Sequence, residues 1–128
     1  MMMKKIQDIY KSLGDYGCLL LCYLHEANID VDIAKYFNKL VELDIIDNDC
    51  YVLDANRLLK FFGSDKRVVR GTNENGNTIV PYKYRNAEHF VVIKERVDFN
   101  KEIVFNSLEN STCVRLGEPV WDEARYLV

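Results

Sequence analysis

Hydrophobic positions change their period near the middle of the chain. Up to Gly63 they recur at spacings of three and four residues; beyond it they alternate or cluster in short blocks between turn-forming residues. In "DVDIAKYFNKLVELDI", Ile33, Tyr36, Phe37, Leu40 and Val41 fall at i, i+3, i+4, i+7 and i+8, which marks one buried face of a helix with Asp30 or Asp32 as its cap. "LDANRLLKFFG" predicts another helix, capped by Asp54 and closed by Gly63. Ahead of these, Ile6 to Leu13 reads as a short amphipathic helix stopped at Gly14. A further helix starts between Asp15 and Cys18 and ends near Ala27 and Asn28.

The second half is patterned for strands. "KRVVRG", "TIVPYKY", "HFVVIKERVDF", "KEIVFNSL" and "CVRLGEPVWDEARYLV" are rich in Val, Ile, Phe and Tyr, and "TNENGN", "RNAE", "DFNK" and "ENST" separate them with turn formers. This predicts a small, mostly antiparallel sheet, with "NENGN" as a hairpin or loop. Helices first and strands afterwards predict an α+β fold in which N-terminal helices pack on one side of that sheet. There is no repeat, low-complexity tract or linker, and the length of 128 residues with 48% hydrophobic content is that of one domain, 1–128.

Charge narrows the function classes. A net charge of −3, with "DKRVVRG" as the one short basic cluster, gives no field for nucleic acid or an anionic membrane, so neither is expected as a partner. Four cysteines, Cys18, Cys22, Cys50 and Cys113, are far too sparse for a disulfide scaffold and are read as thiols. The apolar run from Cys18 to Leu24 is seven residues long, follows Asp8 and Asp15, runs straight into "HEAN" and lacks a small residue before Cys22, so neither export nor lipidation is expected. No segment reaches membrane-spanning length, so a soluble, cytoplasmic protein is expected.

The stretch "GDYGCLLLCYLHEAN" seats Cys18 at the start of a helix, where unpaired N–H groups and the positive end of the helix dipole favour a thiolate. Gly17 leaves room for a substrate near the backbone, and the Cys18 N–H is placed to help an oxyanion. The same stretch also reads as an ordinary buried helix start. His89 opens the strand "HFVVIKERVDF". The strand Glu102 to Phe105 delivers Asn106, seventeen residues after His89, so that a strand, a turn at "DFNK" and a returning strand set Asn106 beside His89. A carboxamide there can hold an imidazole in the orientation a general base needs.

The stretches "DYGCLLL", "EHFVVI" and "IVFNSL", in that order, resemble papain-like cysteine peptidases, especially the C39-like branch. The pattern "GDYGCLLLCYLHEAN", "DCYV", "HFVV" is also similar to short proteins of spirochaete plasmids and prophages that share a domain of unknown function. The resemblance covers most of the chain. It implies a papain-like fold and thiol-dependent hydrolysis of a peptide, isopeptide or other amide bond. Cys18 is then the nucleophile, His89 the base and Asn106 the orienting residue; the partner is a peptide or protein substrate and no cofactor is implied. Asp98, near the same turn, is a second choice for the third member. The chain departs from the family in lacking a glutamine a few residues ahead of the cysteine. Gln7 is eleven residues away, and Asp15 or Tyr16 would have to substitute. That departure keeps a catalytically inactive binding module as the alternative.

Three other readings compete. Cys18, Cys22 and His25 share a helical face at i, i+4 and i+7 and, with Cys50 or His89, have the residue types of a zinc set; three ligands on one straight helix converge poorly, so Cys22 is read as core and no metal is expected. Tyr82, Tyr84 and Trp121 line a groove or simply pack as strand residues, the commoner outcome. Glu95, Asp98 and Glu102 alternate with apolar neighbours and read as solvated strand positions rather than an acid pair.

Overall fold

Two glycines near the N-terminus have opposite consequences. In the computed structural model, which describes residues 4–95, 101–108 and 110–128, helix α1 spans Ile6–Tyr16 and runs straight through Gly14 instead of stopping there. A glycine inside a helix costs only about 1 kcal/mol relative to alanine. Gly14 is solvent-facing, with Ile9, Ser12 and Leu13 buried on the opposite side, so their packing carries the helix past it. Gly17 is the real break. Its N–H still donates to the Leu13 carbonyl at 3.0 Å, and a Cβ added there would lie 2.6 Å from that oxygen and 2.9 Å from the Leu13 Cα. Helix α2, Cys18–Glu26, begins on the next residue.

The chain divides into two compact units, Met1–Arg67 and Val68–Val128. In the first, α2 ends at Glu26 with Ala27 as its cap, and Asn28 takes the left-handed conformation, φ 55°, close to where the sequence predicts the end. The predicted third helix is split. Asp32 accepts a hydrogen bond from the Ala34 N–H and starts a 3-10 turn over Ile33–Lys35, after which α3 covers Phe37–Glu42. Ile33, Phe37 and Leu40 are buried as predicted, while Tyr36, at the junction, is exposed. Helix α4, Ala55–Phe61, has both expected ends: Asp54 accepts from the Arg57 N–H at 3.1 Å, and Gly63 turns the chain at φ 81°.

The second unit is built on an antiparallel sheet. Its strands are β1 (Val68–Arg70), β2 (Asn77–Tyr84), β3 (Ala87–Glu95), β4 (Lys101–Phe105), β5 (Glu118–Pro119) and β6 (Arg125–Leu127), in the order β1-β6-β2-β3-β4 with β5 beside β2. The "RNAE" turn closes the β2–β3 hairpin between Tyr84 and Ala87, with Arg85 at φ 55°. "NENGN" does not make a hairpin, because β6 separates β1 from β2. The last predicted strand is also corrected: Cys113 to Leu116 fall in a short helix, α5 (Thr112–Leu116), followed by β5, a 3-10 turn over Trp121–Glu123 and β6. Cys113 is buried by that helix, and Val114 packs on Val80, Val91, Ile93 and Ala124 together with Tyr82 and Trp121. Tertiary burial of this kind outweighs the strand preference of Val114.

The fold is therefore α+β, with five α-helices and one antiparallel sheet among the described residues. None of those helices is long and apolar enough to cross a membrane.

Candidate active site

Cys18 is the first residue of α2, placed there by Gly17, and it is the one cysteine of the four that is not buried. The tight Gly17–Leu13 approach gives that glycine a packing reason of its own, beside any room it leaves for a substrate. Cys18 thus occupies the first turn of α2, the end of the helix at which the dipole is positive. Cys22 differs sharply. It is fully buried, and burial, aided by the nearby Cys18 and Glu26, pushes its thiol well above the ordinary range. Cys50 is buried too and is pushed up to about 11, by burial first, with Lys4 opposing and Asp47 and Asp49 adding to the rise. Neither supplies thiolate near neutrality.

In the sheet unit, His89 is the third residue of β3 and is buried. Register places Tyr82 opposite His89, Val80 opposite Val91 and Thr78 opposite Ile93. Alternate strand residues share a face, so His89 stands at the end of the face that carries Val80, Val91 and Ile93. Strand β4 pairs antiparallel with β3, with a register shift between Val92 and Ile93, and releases Asn106 just past Phe105. Asn106 Oδ1 lies 2.6 Å from His89 Nε2. The pairing of two successive strands thus brings together His89 and Asn106, two of the three residues that the sequence picks out.

A third group, which sequence reasoning missed, fixes the polarity of that contact. The Leu108 N–H donates to the same Asn106 Oδ1 at 3.1 Å. A backbone N–H can only donate, so the atom it meets is the amide oxygen, and the His89 nitrogen facing that oxygen must carry the proton. A neutral His89 then has its lone pair on Nδ1. The signal was present in "NSL", since an Asn that accepts from the N–H two residues on is a common local turn.

The remaining expectations sort by position. Gln7 sits nine residues before Tyr16 on α1, about 14 Å along the axis at about 1.5 Å per residue, so the helix carries it away from the start of α2. His25 Nδ1 pairs with Glu26 Oε2 at 3.0 Å, Cys22 lies in the core, and among the described residues no group of three His, Cys, Asp or Glu side chains is placed to hold a metal ion. Tyr82 and Trp121 pack against the sheet cluster, and the Tyr82 phenol is pushed up by burial and by Glu118. Asp98 lies outside the described residues. Comparison with protein-family models, curated proteins and solved structures finds no match to this chain.

Proposed function

We propose that the protein is a papain-like, thiol-dependent hydrolase that cleaves a peptide, isopeptide or other amide bond. The observation that carries this reading is the His89–Asn106 contact of 2.6 Å, with its polarity set by Leu108. An imidazole held through Nε2, with the lone pair on Nδ1, is prepared to take a proton from a thiol. Cys18, at a helix start and not buried, is the thiol best suited to lose one.

In this mechanism His89 Nδ1 accepts the Cys18 proton and the thiolate attacks the substrate carbonyl carbon. The positive end of the α2 dipole supports the oxyanion. The imidazolium returns its proton to the departing amine as the C–N bond breaks. Water, deprotonated by the same Nδ1, then releases the acyl group from sulfur as a carboxylic acid. Asn106 keeps the ring in one orientation through all steps. The reaction needs no cofactor, and its thiolate fits the reducing environment of the cytoplasm. The position of Gln7 favours a second reading, a papain-like binding module that has lost its side-chain oxyanion donor.

A pH profile of iodoacetamide labelling, read at each of the four cysteines, separates the two. Selective modification of Cys18 well below the ordinary thiol pKa of about 8.5 is the expected result. Once a cleaved substrate is in hand, Cys18→Ala abolishes turnover with the fold intact and Cys22→Ala does not. Uniformly slow labelling at all four positions favours the binding module instead.

A further inference from the structure

We propose that Tyr16 and Tyr51 form a subsite next to Cys18 for a cationic side chain, lysine or arginine, of the peptide substrate; this inference rests on the thiol-hydrolase reading and names its substrate class. Tyr16 precedes the nucleophile by two residues. Its ring meets that of Tyr51 with centroids 5.5 Å apart and planes tilted by 35°. Both are large, amphipathic and about half exposed, at 45% and 49%.

Tyr51 is held there by its loop. Asp47 Oδ1 accepts from the N–H groups of Asp49 at 2.8 Å and Tyr51 at 3.0 Å, and the Asp47 N–H donates to the Tyr51 carbonyl at 2.9 Å. Ile46 and Val52 form a bridge across the loop base, and Cys50, at φ 70°, turns its side chain into the core. From below, the Lys4 ammonium donates to the Asn48 carbonyl and to Ser12 Oγ of α1, tying the loop to the helix that carries Tyr16. A loop backbone tied at this many points fixes where the Tyr51 side chain starts, which lowers the ordering cost of binding.

The chemistry of the surroundings selects the ligand. The Asp47 carboxylate sits at the Tyr51 backbone, 3.0 Å from its N–H, and the Tyr51 phenol is pushed up by burial first, with Tyr16, Asp47, Asp49 and Cys18 adding to the rise. The outer faces of this ring pair and the carboxylates of the same loop attract a cation and repel an anion.

The test uses the full chain and three thiol reagents of one reaction class: the trimethylammonioethyl, methyl and sulfonatoethyl methanethiosulfonates. In each, the Cys18 thiolate attacks the sulfenyl sulfur, a disulfide forms and methanesulfinate leaves, so only the charge of the approaching group differs. Rates at Cys18 are read by peptide mass spectrometry and divided by those for free cysteine. The cationic reagent is expected to react about tenfold faster than the neutral one, the preference two exposed aromatic faces give a cation, and the anionic reagent slower than both. Tyr16→Leu with Tyr51→Leu removes most of that tenfold, whereas the Tyr→Phe pair retains it; Tyr51→Leu alone serves if the double variant melts early. A cationic preference that is missing in the wild type, or that survives loss of both rings, overturns the subsite. The hydrolase reading stands or falls separately, on the neutral reagent's rate at acidic pH, because a sluggish thiol can still show the charge preference.

Discussion

A carboxamide at position 106 holds the His89 ring without adding a charge to it. Removing it should leave the imidazole free to turn and to present either nitrogen. Asn106→Ala is therefore expected to slow acidic-pH alkylation of Cys18 by up to about 10²-fold, the usual cost of a misplaced catalytic group, while Asn106→Asp keeps an acceptor for both His89 and Leu108 and loses less. Single residues also set an alkaline limit on stability. The Cys50 thiol, raised to about 11, holds its proton more tightly in the folded chain than in the unfolded one. Its contribution is complete below the ordinary thiol pKa of about 8.5 and is lost as pH climbs toward 11. Cys22, raised by burial, acts with the same sign. Denaturant midpoints measured from neutral to alkaline pH should fall across that window, and Cys50→Ala should flatten part of the fall.

At the scale of elements, the joint between α1 and α2 concentrates the most consequence in the least mass. A methyl at Gly17 would press on the backbone of Leu13 at 2.6 Å, and backbone cannot step aside as a side-chain tip does. Gly17→Ala should cost about 1–3 kcal/mol, read from thermal or denaturant melts, and should displace Cys18, since α2 begins there. Gly14→Ala, with nothing near the added methyl, should be neutral or stabilising by up to about 1 kcal/mol. This contrast also shows which elements were legible in the sequence. Asp54 and Gly63 mark both ends of α4, so that helix could be read locally. Gly14 carried the same local signal as a true stop, but burial of Ile9 and Leu13 decided otherwise. Cys113 to Leu116 looked like strand, but they form a helix that buries Cys113 and sets Val114 on Val80 and Val91, which no local pattern reveals. The His89–Asn106 contact was legible because two strands joined by a short segment return alongside each other. Tyr51 was not, because its exposure depends on the Ile46–Val52 bridge and on a left-handed Cys50.

For the whole molecule, the proposed chemistry makes a demand that neither unit meets alone: the nucleophile belongs to the first, Met1–Arg67, and the base with its partner to the second, Val68–Val128. A change in the second unit must then be felt at a sulfur in the first. An ordinary thiol with a pKa of about 8.5 is roughly 0.3% thiolate at pH near 6, so a thiolate stabilised by an imidazolium labels up to about 10²-fold faster there. His89→Ala should remove that acidic limb and restore a rate that climbs about tenfold per pH unit up to the thiol's own titration. Because Asn106 acts only through the ring, adding Asn106→Ala to His89→Ala should change nothing further, the non-additivity expected of groups that work as one. His89→Gln, closer in size, checks that a buried vacancy is not the cause. An unaltered Cys18 profile in both variants would mean that sulfur and imidazole act independently, and the hydrolase reading would fall with the fold of each unit left standing.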